Sequence, residues 1–212
     1  MMEKLETIGE QIRKRLESKN AARENALKHS RTLIRYCSTA IRSIHRNERE
    51  AAKGQIESAH ELVKTLQREL SDYPDLYHAG YTKDALKEYA EACICFALIG
   101  GEALPLPDEL GVEDVAYLGG LGDTVGELRR RVLDLLRNDE MDEAERLLSF
   151  MDDIYGLLVT IDFPKAITGN LRRLNDMVRG VTERTRGDLT TSFQQRELRS
   201  AMRDVEEKLG RS

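Results

Sequence analysis

The chain has 212 residues, 40% of them hydrophobic and 33% charged, with a net charge of −5, no Trp and only four Pro. That is enough apolar material for one domain with a real core, and it excludes a disordered chain. No stretch approaches the roughly 18 uninterrupted apolar residues of a membrane span, and the first residues, MMEKLETIGEQIRKR, are too charged for a signal peptide. A cytoplasmic protein is expected.

The abundance of Ala, Leu, Glu and Arg predicts an all-α protein: one domain over residues 1–212, built as a bundle of about six to seven helices with long first and last members and no strands. The first helix runs from about Glu3 to His45, with Leu27, Ile34, Cys37, Ile41 and Ile44 as its apolar stripe. A second stripe, Ile56, Ala59, Val63, Leu66 and Leu70, ends at SDYPDL, where Pro74 removes a backbone donor and disfavours helix before it. Thr82 is placed to cap the next helix, which runs to Gly100 and Gly101. Pro105 and Pro107 fall in a loop. Helix resumes from about Val112 through Val125, Leu128, Val132 and Leu135, its middle weakened by Gly119, Gly120 and Gly122, which permit close packing or a bend. Ala144, Leu147, Leu148, Met151, Ile154 and Leu158 mark another helix that stops near Pro164. The last begins around Ile167 and continues to the C-terminus, with a bend expected near Gly187.

Four carboxylates stand out, as Glu88 and Glu91 in KEYAEACICF and Asp123 and Glu127 in GDTVGELRRR. Residues three or four apart share one face of a helix, so each pair aims its oxygens one way, and two such helices packed together could converge on a cation. Oxygen ligands without nearby His or thiolate favour magnesium, or manganese, over zinc. Acids at this spacing usually belong to a solvated helix face, and on spacing alone that reading is the favoured one. Cys37, Cys93 and Cys95 form no CxxC and have no adjacent His, so they are read as small core residues. Histidines at 29, 45, 60 and 78 exclude HExxH and the ExxH pairs of di-iron bundles.

Charge is divided along the chain. Residues 1–50 carry 12 Lys and Arg against 7 Asp and Glu, residues 101–160 carry 5 against 15, and the remainder after 160 carries 11 against 8. Basic first and last helices around an acidic middle would set a phosphate-binding surface beside a metal-binding one, because attraction of a polyanion follows the local field. Solvated helices laced with ion pairs give the same pattern.

In order, the YAEA helix, YLGGLGDTVGELRRRVLD, the acidic helix ending in YGLLVTIDF and LRRLNDMVRGVTERTRGDLT resemble the translin superfamily, and RENALKHSRTLIRYCSTAIRSIHRNE resembles its first long helix. The ordered combination of EYxEA, DxxGELxR and LRRxxD carries the likeness over most of the chain. The resemblance implies an all-α, translin-like bundle whose subunits assemble into hollow octameric shells that bind RNA or DNA inside. Subunits similar to translin-associated factor X also cut RNA, and the acidic positions of their motifs are filled here by Glu88, Glu91, Asp123 and Glu127. The resemblance therefore implies a Mg2+-dependent endoribonuclease, with Glu88, Glu91 and Asp123 as metal ligands and Glu127 as a fourth ligand or a residue orienting water. The compact loop between the two motifs resembles a minimal one-gene form, for which a homo-octamer is the simplest expectation.

Candidates for RNA contact are Arg31, Arg35, Arg42 and Arg46 on the first helix, Arg130 beside the second acidic pair, and Arg172 and Arg173 near the start of the last region. Arg35, Arg42 and Arg46 recur at intervals of seven and four and share a broad face. Each could instead be an exposed ion pair. With aromatics at 5% and no Trp, sequence-tolerant backbone recognition is expected over base stacking.

Two other classes fit parts of the pattern. A non-catalytic shell binding single-stranded RNA or DNA would keep the fold and use the acids for subunit contacts or solubility. An all-α nucleotide pyrophosphohydrolase also gathers helical acids around magnesium, but its second motif is ExxD where this chain has DxxxE, and it has no need of basic terminal helices. Asp152 and Asp153 suggest a prenyl-transferase motif without the DDxxD that would complete it.

Overall fold

A computed structural model describes residues 2 to 210. Among them there are helices and no strands: α1 (Met2–His45), α2 (Arg49–Glu69), α3 (Pro74–Tyr77), α4 (Gly80–Gly100), α5 (Pro107–Leu110), α6 (Asp114–Arg137), α7 (Met141–Thr160), α8 (Lys165–Thr168) and α9 (Leu171–Gly210). Six are long, and α3, α5 and α8 are single turns in the connections. Each of these three starts at or just after a proline, whose missing N–H costs nothing in a helix's first turn. The all-α expectation is met. Residues 211 and 212, to which the last helix was expected to reach, lie outside the described residues.

The helices fall into two compact units, Met1–Phe96 with Leu104–Gly120, and Ala97–Ala103 with Leu121–Ser212. In the first, α1 and α2 form an antiparallel pair. Its core takes Leu33, Cys37, Ala40 and Ile44 from α1, Ala52, Ala59, Val63 and Leu66 from α2, and Leu86, Tyr89, Ala90 and Ile94 from α4. The expected α1 stripe is buried at Cys37, Ile41 and Ile44, and departs from the buried edge by one residue at Leu27 and Ile34. Ala26, Ser30, Leu33 and Ala40 are buried, whereas Leu27 is half-buried and Ile34 is 36% exposed. Small side chains occupy the seam because they let two helices approach closely, so residue size and not hydrophobicity alone set the register. In the second unit, Val125, Leu128, Val132 and Leu135 of α6 and Ala144, Leu147, Leu148, Met151, Ile154 and Leu158 of α7 are all buried, as their periodicity predicts. Leu171, Val178 and Leu189 of α9 join them, and each fully buried aliphatic side chain contributes on the order of 1.5–3 kcal/mol.

Three helix ends are closed by one device. After α1, Asn47 adopts φ 59° and the Glu48 amide donates to the Ser43 carbonyl; after α6, Asp139 adopts φ 63° and the Glu140 amide donates to Leu135; after α4, Gly101 takes φ 71° and the Glu102 amide donates to Ala97. This is the left-handed cap that satisfies orphan carbonyls, tolerated by Asn and Asp as well as Gly. Thr82 departs from its expected role. It lies inside the first turn of α4, fully buried, and its hydroxyl donates to the Leu76 carbonyl 3.0 Å away, so it ties the helix to α3 without capping it. Gly187 sits within α9, a single uninterrupted helix. Among the described residues no helix is long and apolar enough to cross a membrane.

Candidate functional site

The first acidic pair lies on α4 in the first unit. Ala85, Leu86, Tyr89, Ala90, Ala92, Cys93 and Ile94 are buried around it, so the helix is wrapped by protein on most of its surface. Glu88 keeps about a third of its side chain exposed, and its Oε1 lies 3.4 Å from Lys87 Nζ. Glu91, one turn further, is only 8% exposed and is the sole charged residue among the buried described residues. Burying a carboxylate is costly unless it is paired or coordinated, so a folded chain keeps one only with compensation.

Two features hold this segment of α4. The first is the backbone of α6 at Gly120, where a Cβ would stand 2.8 Å from the Lys87 carbonyl oxygen and 2.7 Å from the Glu91 nitrogen. The second is Tyr89, buried on the far side, whose hydroxyl lies 2.8 Å from His60 Nδ1 and also bonds the Cys93 thiol. Burial pushes Cys93 up to about 12 and carries Cys37 and Tyr89 well above their ordinary values. For Cys37 the nearby Cys93, Glu88 and Glu91 add to burial. All three cysteines are buried and outside any disulfide, as the core reading expects.

The second pair lies on α6 in the second unit. Asp123 and Glu127 are half-buried and one turn apart. Glu127 is flanked by Arg130 at 3.9 Å. Gly122 lets α9 in, since a Cβ there would stand 2.6 Å from Leu174. Arg129 then pins α9 from the same helix, donating to Thr185 Oγ1 at 3.0 Å and pairing with Asp188 at 2.8 Å. The close-packing role expected of the α6 glycines is thus met at Gly120 and Gly122.

The four positions are uniformly carboxylate, which suits a hard divalent cation and not a thiophilic one. Each pair shares one face of its own helix. Among the described residues, no group of three or more His, Cys, Asp or Glu side chains is arranged to hold a metal ion.

Of the arginines, Arg31, Arg35 and Arg42 are exposed on α1 and Arg46 is exposed in the turn just after it, and among the described residues none is paired with a carboxylate; Arg42 donates to Thr39 Oγ1 and Arg35 lies 5.9 Å from the Tyr36 ring centroid. The ion-pair alternative therefore does not apply to these four. It does apply to Arg172, which meets Asp162 at 3.1 Å, and to Arg130 beside Glu127. Arg173 is exposed. The residues that a reading of the acids passed over are Lys87, His60 and Tyr89. Lys87 was visible as the residue preceding EYxEA, whereas no sequence pattern ties His60 to Tyr89.

No family model matches the chain. An uncharacterized protein of Methanocaldococcus jannaschii is 34% identical over 193 residues, which cover 90% of this chain and 85% of that protein. Two structures of AfC3PO, one of them a complex with duplex RNA, superpose with TM-scores of 0.81 and 0.82 at 34% identity, covering 88% of this chain and 97% of theirs. The structure of apo-NeC3PO shares the fold at 23% identity and a TM-score of 0.79, over 86% of this chain and 96% of its own. With a third of its residues shared across nearly the whole of AfC3PO, this chain belongs to the C3PO/translin family.

Proposed function

We propose that the chain is an RNA-binding endoribonuclease dependent on Mg2+, or Mn2+, that works as a self-assembled hollow oligomer, with a homo-octamer as the expected form. The observation that carries the reading is Glu91, a carboxylate kept in the interior of α4 with Glu88 one turn away on the same face. A fold gains nothing from burying such a group for its own sake. Glu88, Glu91 and Asp123 are assigned as metal ligands, with Glu127 as a fourth ligand or as the residue that orients water. When bound, a divalent cation there supplies charge neutralisation at the phosphodiester and activation of water. The chain's own residues do the remainder. Arg130 beside Glu127 takes a phosphate oxygen, and the exposed arginines of α1 hold the strand by its backbone, which makes recognition sequence-tolerant.

Support for RNA as the ligand comes from AfC3PO, whose solved complex contains duplex RNA. Support for self-assembly comes from two apolar stripes without cover in the single chain: Leu5, Ile8, Ile12 and Leu16 on α1, and Leu198, Met202, Val205 and Leu209 on α9. Both recur at spacings of three and four, the pattern of a helix that packs on another helix.

The non-catalytic shell, binding single-stranded RNA or DNA, is favoured by one observation, the absence of any gathered group of three acids among the described residues. Native mass together with cleavage of short single-stranded and duplex RNAs separates the two. Cleavage that requires Mg2+, stops with EDTA and is missing from Glu91→Gln supports the nuclease. Tight RNA binding by a large assembly with no cleavage in Mg2+ or Mn2+ establishes the shell instead.

A further inference from the structure

The turn joining α7 to α9 borders an open surface hollow of about 520 Å3 whose lining includes Phe163, Lys165, Thr168, Asn170, Arg172 and Arg173. That volume falls in the range of about 300–1,000 Å3 usual for small-ligand sites. Three features give it a chemistry. Lys165, Arg172 and Arg173 line it with positive charge and no carboxylate is among its lining residues; Asp162 is paired with Arg172 at the surface, 3.1 Å away. Exposed pairs are worth little, so a phosphate oxygen can displace Asp162 from the guanidinium at small cost. Phe163 stands at the rim with 56% of its surface open, in a chain with only four Phe. An aromatic ring left open among cations is the combination by which proteins hold unstacked bases. The hollow is also a built feature. The Thr168 hydroxyl donates to the carbonyls of Phe163 and Pro164, the Ile167 amide to Pro164 at 2.8 Å and the Gly169 amide to Lys165 at 2.8 Å, so the turn of α8 that lines the hollow is held by its own hydrogen bonds.

We propose that this hollow takes one unpaired nucleotide of an RNA strand, its phosphate on Arg172, Arg173 and Lys165 and its base against Phe163. The inference rests on the RNA-binding reading and adds to it a place where strand ends or overhangs are told from continuous duplex. It adds one stacking contact to the backbone recognition expected of a chain with few aromatics, since one well-placed ring suffices for one base.

The test compares a blunt RNA duplex with the same duplex bearing a two-nucleotide 5′-phosphorylated overhang, by fluorescence anisotropy in EDTA so that no strand is cut. The wild-type chain is expected to bind the overhang duplex about tenfold more tightly, the scale of one base stacked on an aromatic ring. Phe163→Ala should erase that preference and leave affinity for the blunt duplex unchanged, and Phe163→Trp should restore it. A wild-type chain that binds both duplexes equally, or a preference that survives Phe163→Ala, overturns the proposal while the RNA-binding reading stands. Failure to bind either duplex overturns both.

Discussion

Gly120 faces the α4 backbone at the position of the buried acid: a methyl group in place of its hydrogen would stand 2.7 Å from the Glu91 nitrogen, 2.8 Å from the Lys87 carbonyl oxygen and 2.8 Å from the Ala90 Cβ. Two of these three neighbours are backbone, which cannot swing aside. Gly120→Ala should therefore force the two helices apart and destabilise the fold by about 1–3 kcal/mol, the usual cost of overpacking. Gly126, on the same helix and exposed with nothing within 4 Å, provides the control, because Ala there adds helix propensity and should stabilise by about 0.5–1 kcal/mol. Urea unfolding of the two variants beside the wild type checks this, and equal midpoints for Gly120→Ala and the wild type would falsify the close approach.

A site role for the acids fixes how loss of charge at Glu91 should act on stability and on cleavage. Gln keeps the shape and the hydrogen-bonding capacity and removes only the charge, so Glu91→Gln should fold with a melting temperature equal to or above that of the wild type. Asp123→Asn should behave likewise, because gathering carboxylates without a cation sets like charges against one another. Both should lose RNA cleavage by at least a hundredfold in Mg2+, on the order of 3 kcal/mol of transition-state stabilisation. Single-turnover cleavage and a thermal melt in EDTA are the two measurements. A variant that melts far below the wild type in EDTA assigns the carboxylate to holding the fold.

Buried thiols give the alkaline limit of stability. Burial holds Cys93 up to about 12 against an ordinary value of 9.0, and raises Cys37 and Tyr89 as well. The folded chain thus keeps protons that the unfolded chain releases above about pH 9, so stability from these groups is complete below that value and is lost as the pH rises toward the folded values. The urea midpoint should be flat from pH 7 to 8 and fall from pH 9 upward. At pH 8, Cys37, Cys93 and Cys95 should stay silent toward a colorimetric thiol reagent until denaturant is added, when all three react. A fast-reacting thiol in the native protein would place at least one of them outside the core.

Much of this fold was readable because long amphipathic helices write themselves as period-3.6 patterns: the α6 and α7 stripes, from Val125 to Leu135 and from Ala144 to Leu158, are buried at every expected position. On α1 the stripe was right at Cys37, Ile41 and Ile44 but one residue out at Leu27 and Ile34, since Ala26 and Ser30 carry little hydrophobic signal yet are residues that let helices close. The caps at Asn47 and Asp139 went unread for a similar reason: both residue types are common on helix surfaces, and only the left-handed backbone marks them as ends. For the site, the spacing of Glu88 and Glu91 placed both on one face, but not that one would be buried and the other partly open. Burial is decided by what packs against the helix, and that is set by Gly120, some thirty residues away in the chain.

Arg35 and Arg42 supply the remaining prediction. Both are exposed on α1, seven residues apart, and among the described residues neither is engaged by a carboxylate, so reversal of charge breaks no ion pair and costs only the exposed contacts with Tyr36 and Thr39. Each phosphate that a cationic side chain neutralises releases counterions, steepening the fall of affinity with salt by about 0.9 in the log–log slope. If both arginines contact phosphates, the Arg35→Glu, Arg42→Glu chain should bind RNA at least tenfold more weakly at low salt and with a slope shallower by about 2. Native mass should be unchanged, because the exposed apolar stripes that support assembly, from Leu5 to Leu16 and from Leu198 to Leu209, lie elsewhere in the sequence. Titrations of a labelled RNA across several salt concentrations, with mass measured on the same samples, decide the matter. An unchanged slope removes both residues from the footprint, whereas a fall in native mass would show that the Arg35 and Arg42 face of α1 belongs to an assembly contact beyond the Leu5–Leu16 stripe.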